Sequence, residues 1–347
     1  MASIAVQDAR NLYTKELAKV YKERISPKAF LRSFFPVIEK GSKEISIEVQ
    51  RGFEKVAVDV VRGTEGNRNE FGKSTEKIFV PPFYREYFDA TELDVYDKMF
   101  GDGEISSNMF GRFIDGVSEK MLTLTNKIER AYEVQCSQVF ETGIVTLNSN
   151  TNIDFKRKAA SLVDATSNTW ATGTNSPYEN LKAGADFLRT IGKASGGVFN
   201  VIMGETALEA FLENAIVQAR ADVRNYSLDG IREPQRNAVG AAYHGRTSAG
   251  SYTFDIWTYP ESYTNSSLVE TAYMNAKKIV ILPQNPDFNL VFAAVPQLIE
   301  NGGLTKGAFK YGNYIDEKND KHIFDVKSAG VAIPVAVDQI YTAQVIV

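Results

Sequence analysis

The chain has 347 residues, of which 44% are hydrophobic and 24% charged, and its formal net charge is -4. These proportions are those of a folded globular protein, and they exclude the strongly basic domain of a dedicated nucleic-acid binder. A single cysteine, Cys136, and two histidines, His244 and His322, exclude a disulfide framework and a zinc site rich in these residues. The chain shows no signal peptide and no apolar stretch of bilayer length, so we expect a protein made in a cytoplasm, without a membrane partner.

Residues 1–32 form a basic arm, in which seven basic residues outnumber three acidic ones to give a local charge of +4. Apolar residues recur at spacings of three and four between Val6 and Val20, which predicts a helix that ends at Ser26-Pro27. We expect this arm to be a peripheral attachment that acts during assembly. Its candidate contact residues are Lys15, Lys19, Lys22 and Arg24.

Residues 43–80 have the two-residue period that is typical of half-buried strands. Apolar and polar residues alternate over 45–49 and 56–60, and the chain returns through 77–80 to a pair of prolines. The intervening residues 62–74 are rich in Gly, Asn and charge, which predicts an exposed tip. We expect a long projecting β-hairpin whose strand edges pair with another chain. Its candidate intersubunit contact residues are Arg62, Glu65, Arg68, Glu70 and Lys73.

The hairpin tip also contains a near match to a nucleotide-binding P-loop, because residues 66–74 read GNRNEFGKS. The P-loop has four residues between its glycines, and this segment has five. A P-loop lysine also opens a helix that holds phosphate, whereas Gly72-Lys73-Ser74 leads into an extended segment. An enzyme that binds a nucleotide here is therefore the weaker alternative, and we expect no catalytic residue, cofactor or metal.

The strongest helical pattern covers residues 110–139. Apolar positions recur at alternating spacings of four and three, and Gly143 supplies a stop signal. The stripe consists of Phe110, Ile114, Val117, Met121, Leu124, Ile128, Ala131 and Gln135. We expect a long helix across one face of a sheet, with Cys136 as a buried, inert thiol.

The remainder of the chain mixes strands and helices. It is polar and loop-like after residue 143, until Pro177 opens a helix. A strand at 198–203 leads through Gly204 into a helix, with Leu208, Phe211, Leu212, Ala215 and Ala219 on one side. Further strands are expected at 252–259, 278–282, 290–294, 323–326 and 341–347. Because no regular βαβ period is present, the pattern indicates the α+β class.

This order of elements resembles the Hong Kong 97-like major capsid fold of tailed bacteriophages, and in detail the lambda-type E protein family. The resemblance covers the chain from about residue 29 to its end. It is carried by AFLRSFFP at 29–36, the extended loop at 56–87, TWATGTNSPYENL at 169–181, FNVIMGETALEAFL at 199–212 and the final segment 322–347.

The resemblance implies a division into an N-terminal arm (1–35), an extended β-hairpin loop (36–95), a peripheral domain with a spine helix (96–160 and 315–347) and an axial domain (161–314). It implies a structural protein that self-assembles as hexamers and pentamers into an icosahedral capsid. The expected partners are further copies, a scaffold, a portal, a decoration protein, and packaged DNA bound without sequence-specific contacts. Assembly is expected in the host bacterial cytoplasm. A nanocompartment shell of the same fold, which packages protein cargo, is the alternative.

Overall fold

The computed structural model describes residues 29–43, 45–49, 75–79, 81–91, 108–147, 152–164, 169–170, 175–223, 235–236, 240–297, 303–316, 318–319 and 321–347. The α-helices are α1 (Asn108–Glu141), α2 (Pro177–Thr190), α3 (Glu205–Glu213) and α4 (Ala215–Val223). Short 3-10 helices cover Leu31–Phe34, Ala159–Ser161 and Val337–Gln339.

The strands, in chain order, are β1 (Val37–Glu39), β2 (Ile45–Val49), β3 (Thr75–Phe79), β4 (Phe83–Thr91), β5 (Ile144–Val145), β6 (Ile153–Asp154), β7 (Leu162–Val163), β8 (Val198–Met203), β9 (Gln235–Arg236), β10 (Ala242–Ala249), β11 (Tyr252–Thr258), β12 (Ser262–Thr264), β13 (Glu270–Ala272), β14 (Lys278–Pro283), β15 (Phe288–Phe292), β16 (Val295–Gln297), β17 (Gly303–Thr305), β18 (Lys310–Asp316), β19 (Lys321–Pro334) and β20 (Tyr341–Gln344).

A five-stranded sheet is organised around β19, which is 14 residues long. The first part of β19 lies between β4 and β18, and both pair with it in antiparallel fashion. Its last five residues, 330–334, pair instead with β15, and β1 adds to β15 in parallel. The sequence pattern predicted only 323–326 of this strand, because its later residues are apolar on both faces and show no alternation.

The predicted long helix is confirmed, and it crosses one face of this sheet as α1. Its buried side chains recur at helical spacing, and Ile128, Tyr132 and Phe140 are almost fully buried. The Tyr132 ring packs edge-on against Tyr84 of β4 and Phe292 of β15. At ~1.5 Å per residue the helix is roughly 50 Å long, so it holds several strands in one layer. Cys136 is buried, as predicted.

A seven-stranded sheet runs in the order β7-β20-β14-β8-β11-β10-β9. One of its faces contributes Ile202, Val280 and Leu282 to the same hydrophobic core as α1. The opposite face, with Val201, Phe254 and Ile281 among others, packs against α2 and α3 in a second core. The chain therefore buries both faces of this sheet, which explains the continuous apolar run of β14.

Gly184 allows α2 to approach the seven-stranded sheet closely. A Cβ at this position would lie 2.6 Å from Cδ1 of Ile281 and 2.8 Å from a ring carbon of Tyr341. Any larger residue would push the helix off the sheet. The helix therefore contains a glycine despite the cost of glycine in a helix interior, which is about 1 kcal/mol relative to alanine.

The helix predicted after Gly204 is correct at its start but wrong in its continuation. It divides into α3 and α4 at Asn214, whose side-chain oxygen accepts a hydrogen bond from the Ile216 N–H at 3.0 Å. The extended backbone of Asn214 interrupts the helix, and its side chain caps the helix that follows. Ala215 and Ala219, which were expected on the apolar side with Leu208, Phe211 and Leu212, are therefore exposed.

The α+β class is confirmed, whereas sheet membership crosses the predicted domain limits. β20 lies within 315–347, which was expected in the peripheral domain, but it pairs with β14 of the seven-stranded sheet. β15 lies within 161–314, which was expected in the axial domain, but it pairs with β19 of the five-stranded sheet. Pairing between strands distant in sequence has no local signature, so the sequence pattern alone did not show to which sheet β15 and β20 belong.

Candidate assembly surfaces

The point where the N-terminal arm joins the body is fixed by a buried carboxylate on α1. The 3-10 helix Leu31–Phe34 directs its first N–H groups at Glu133: Leu31 donates to Oε1 at 2.8 Å and Arg32 to Oε2 at 3.1 Å. Glu133 is only 1% exposed. The Arg32 guanidinium also pairs with Glu129, one turn earlier on α1, at 3.5 Å. A buried acceptor that satisfies two N–H groups ties this segment tightly to the helix.

Aromatic side chains anchor the same segment in the core. Phe30 packs against Trp257 near the end of β11 and against Tyr259, which directly follows that strand. Phe35 stacks on Phe288 with ring centroids 5.2 Å apart. Burial of each phenyl ring stabilises the segment by roughly 1.5–3 kcal/mol. The arm is therefore attached to the body at a firm point, and the attachment joins α1 to both sheets.

The charge on Glu133 affects the groups around it. Burial raises the pKa of Glu133, although the Leu31 and Arg32 N–H groups and the Arg32 charge act in the opposite direction. Burial and the Glu133 charge together raise the pKa of Tyr273 to about 12. The carboxylate thus carries a desolvation cost that its hydrogen bonds and the nearby Arg32 charge offset only in part.

The base of the predicted hairpin is present in the structure. β2 and β3 pair in antiparallel register from Ile45 opposite Phe79 to Val49 opposite Thr75. Ile45 is buried in the α1 core, which fixes the root of the hairpin in the body. The proposed tip contacts lie outside the described residues, and so do the arm residues; they are Arg62, Glu65, Arg68, Glu70 and Lys73, and Lys15, Lys19, Lys22 and Arg24.

The segment that follows Gly72-Lys73-Ser74 is the strand Thr75–Phe79. A P-loop requires a helix at this point, because the helix N-terminus holds the phosphate. The prediction that the lysine leads into extended chain is therefore confirmed. The geometry next to this near match does not fit nucleotide binding.

The outer face of the five-stranded sheet carries aromatic rings and paired charges on β4, β19 and β18. Tyr87 and Tyr314 are 61% and 45% exposed. Between them lies Asp325, fully buried, which pairs with Arg85 at 2.8 Å and with Lys327 at 3.1 Å. Exposed aromatic rings among charges that are already paired are typical of protein–protein contact surfaces. The sequence pattern missed this face, because the charged residues of β4 obscure its alternation.

Within the described residues, no group of three His, Cys, Asp or Glu side chains could hold a metal ion. His244 shares a hydrogen bond with Thr258 at 2.7 Å, while His322 packs against the Phe324 ring on β19. Burial raises the pKa of the Cys136 thiol well above its usual value, which makes it a poor nucleophile. In the same part of the chain, no helix is long and apolar enough to cross a membrane.

Comparison with known protein families identifies the family of the chain that carries these surfaces. Residues 14–344 match the family described as phage major capsid protein E. The chain belongs to this family. The match includes the arm from residue 14 onwards, the hairpin, α1 and both sheets. This major capsid protein is therefore a structural component of a phage capsid, and the predicted family and role are confirmed.

Three solved structures of other capsid proteins have the same fold as this major capsid protein. A protein assigned as a prophage capsid protein from E. coli CFT073 aligns with a TM-score of 0.61 and 16% identity, over 93% of this chain and 94% of that one. The capsid protein of cyanophage A-1(L) gives 0.53 and 12%, over 94% of each chain. That of cyanophage P-SCSP1u gives 0.51 and 11%, over 93% and 91%. No curated protein sequence is significantly similar. The Hong Kong 97-like fold is thereby confirmed.

Proposed function

We propose that this major capsid protein assembles as hexamers and pentamers into a closed icosahedral shell that encloses the genome of a tailed phage. The observation that carries the proposal is the family match over residues 14–344, which spans almost all of the chain. A shell of identical subunits needs no strong single contact, because many weak contacts repeat over a closed symmetric surface.

The described base of the hairpin supports a role between subunits. β2 and β3 pair with each other, and neither pairs with a third strand among the described residues. A two-stranded ribbon is marginally stable alone and has free edges, so it gains stability by lying on another surface. We propose that this surface belongs to a neighbouring subunit, contacted by Arg62, Glu65, Arg68, Glu70 and Lys73.

The proposal includes further partners. We assign the basic arm, through Lys15, Lys19, Lys22 and Arg24, to contacts with a scaffold protein or an adjacent subunit before the shell matures. We also propose that the shell binds a portal and a decoration protein, and that it assembles in the host bacterial cytoplasm. The net charge of -4 supports DNA packaging without tight binding to phosphate, and we propose no enzymatic activity and no cofactor.

The two sheets support a modified domain division. We propose that the seven-stranded sheet with α2, α3 and α4 forms the axial domain, and that β20 belongs to it. The five-stranded sheet with α1 then forms the peripheral domain, and β15 belongs to that domain. Sheet pairing supports this exchange, because each strand is hydrogen-bonded to its proposed domain.

Purification of the expressed protein tests the proposal. Size-exclusion chromatography and electron microscopy should show closed particles, with or without a scaffold supplied. A stable 38.5 kDa monomer that never associates would overturn it. Particles isolated from cells should contain DNA or scaffold, whereas a packaged enzyme would indicate a nanocompartment. ATP binding that Lys73→Ala abolishes would instead support the enzyme alternative.

A further inference from the structure

The hairpin formed by β12 and β13 holds two apolar side chains in water at its tip. The strands pair from Ser262 opposite Ala272 to Thr264 opposite Glu270, and residues 265–269 connect them. Leu268 is 87% exposed and Val269 is 56% exposed. No other exposed large hydrophobic side chain in the described part of the chain is as exposed as Leu268.

The tip is held in one conformation by Asn265. Its side-chain Oδ1 accepts hydrogen bonds from the N–H groups of Ser267 at 2.9 Å and Val269 at 3.0 Å. Its backbone N–H donates to the Val269 carbonyl, and its carbonyl accepts from the Leu268 N–H. These four bonds close the loop around a single residue, so Leu268 is presented by an ordered turn.

The backbone of Leu268 adds a second observation. Its φ is 60°, in the left-handed region that a branched apolar residue rarely adopts. The other non-glycine residues with positive φ in the described part of the chain are Lys156 and Lys193, whose exposed side chains are well solvated. Leu268 combines an unfavourable backbone with an apolar side chain in water. Glycine or asparagine would suit the isolated subunit better at this position.

We infer that Leu268 and Val269 form an apolar knob that inserts into the surface of a second copy of this chain. The inference rests on the proposed function, because it names one contact within the shell. An ordered apolar tip that loses little freedom on binding is suited to an interface contact.

Two features of the chain favour a second copy as the partner. Residues 264–269 carry no charge, so the tip offers nothing to phosphate groups or to a charged ligand. The chain also has exposed apolar pairs on the end strands of its sheets, at Val37-Ile38 on β1 and Leu162-Val163 on β7. Each subunit thus carries both a knob and apolar surface to receive one, and such head-to-tail contacts form rings when the rotation between neighbouring subunits closes.

Thiol labelling tests the knob directly, because the natural Cys136 is buried and does not compete. A Leu268→Cys subunit is co-assembled with excess wild-type subunits from purified protein alone. A maleimide should label this cysteine quickly in dissociated subunits and at least tenfold more slowly in shells. Equal labelling rates in the two states would overturn the inference, and would leave the tip free for another protein.

A matched pair of substitutions separates assembly from folding. Leu268→Asn introduces a residue that tolerates the positive φ better than leucine does, so the melting temperature of dissociated subunits should stay the same or rise. Its shells should require at least about a tenfold higher protein concentration, since each contact loses a buried leucine side chain. Leu268→Met keeps the apolar contact and should assemble close to wild type.

The outcomes distinguish the inference from the proposed function. If wild type and Leu268→Asn form shells at the same concentration, the knob is refuted and the capsid function stands. If wild-type protein forms no particle under any condition, the proposed function fails and the knob fails with it. A Leu268→Asn subunit that no longer folds would also refute the inference, because the tip would then serve the fold.

Discussion

Polar side chains fix the backbone both around helix α1 and in the β12–β13 hairpin, but they stabilise the core in the first region and an exposed tip in the second. On α1, the Gln135 side chain donates to the Tyr84 hydroxyl at 2.9 Å and accepts from the Ala332 N–H at 3.2 Å, deep in the core. Glu133 likewise joins distant parts of the chain, because it accepts hydrogen bonds from the N–H groups of the arm attachment. In the hairpin, Asn265 bonds only within its own loop or to its partner strand and leaves Leu268 in water.

The difference indicates that subunit stability and shell assembly depend on different parts of the chain. A buried polar group that joins distant elements is costly to remove, because its partners remain unsatisfied in the core. A loop that closes on itself can change without exposing any core residue. Substitutions on α1 should therefore act on folding, and substitutions at projecting tips should act on assembly.

Tyr132→Ala should have the largest effect on the subunit. The side chain is fully buried, its ring packs on Tyr84 and Phe292, and its hydroxyl shares a hydrogen bond with Ser328. Loss of a buried aromatic ring should lower the free energy of unfolding by about 3–5 kcal/mol, as measured by urea denaturation of dissociated subunits. Tyr132→Phe keeps the ring contacts and should cost only about 1–2 kcal/mol. If dissociated Tyr132→Ala subunits had the wild-type free energy of unfolding, α1 would not be the centre of the core.

Glu133→Ala should have the next largest effect, because it leaves two N–H groups of the arm attachment without their acceptor. We expect a loss of about 1–3 kcal/mol in the free energy of unfolding. Proteolysis should also begin near Leu31, since the attachment becomes loose. Glu129→Ala is the matched control: it removes only a partly exposed ion pair with Arg32, so it should cost less than about 1 kcal/mol.

The same residue predicts a pH dependence. Because burial raises the pKa of Glu133, the folded subunit binds this proton more tightly than the unfolded chain does. The contribution of Glu133 to stability is thus greatest below its unfolded pKa and declines as pH rises through the raised folded pKa. Glu133→Gln removes this titration. Its free energy of unfolding should therefore rise relative to wild type as pH increases from 4 to 7, and a constant difference would contradict the assignment.

Sequence reasoning predicted the elements that carry a periodic signal. Helix α1 was expected at 110–139 and spans 108–141, and β8 matches its predicted limits. The link between Glu133 and Leu31 was missed, because the partners are 102 residues apart and a lone glutamate in an amphipathic helix is usually solvated. Gln135 was placed on the buried stripe, correctly, but its two hydrogen bonds depend on the positions of β4 and β19, which no local pattern gives.

Two of the missed strands lack a regular alternation of apolar and polar residues, each for its own reason. β4 reads FYREYFDAT. Its face away from α1 carries Arg85, Tyr87 and Asp89, while Tyr84 and Glu86 contact α1, so polar and aromatic residues occur on both faces. β10 has a register shift between Tyr243 and Gly245, which interrupts the alternation. For the knob at Leu268 the sequence offered one signal, an apolar Leu-Val pair directly after the polar turn-forming segment Asn-Ser-Ser.

Replacement of residues 63–72 by a short Gly-Ser turn should leave the subunit nearly unchanged. The replaced segment contains a single large apolar residue, Phe71, so the free energy of unfolding should change by less than about 1 kcal/mol. Assembly should fail or give unstable shells, because the lost contacts repeat at every subunit. The described pairs of β2 and β3 remain as an internal control of hairpin formation. Normal shells would refute the proposed role of the tip.

Deletion of residues 1–24 should have the smallest effect on the subunit, because the anchor at Phe30 and Leu31 lies beyond the deletion and keeps its contacts with α1 and Tyr259. Melting temperature should therefore be unchanged, while the yield of particles falls. If charge is the cause, substitution of Lys15, Lys19, Lys22 and Arg24 by Gln should reproduce the loss, whereas Glu16→Gln and Glu23→Gln should not. Added salt should weaken wild-type assembly towards the level of the charge variant, since exposed charges are screened beyond ~8–10 Å. A normal particle yield after the deletion would show that the arm is dispensable, and assembly would then depend on the hairpin tip and the Leu268 knob.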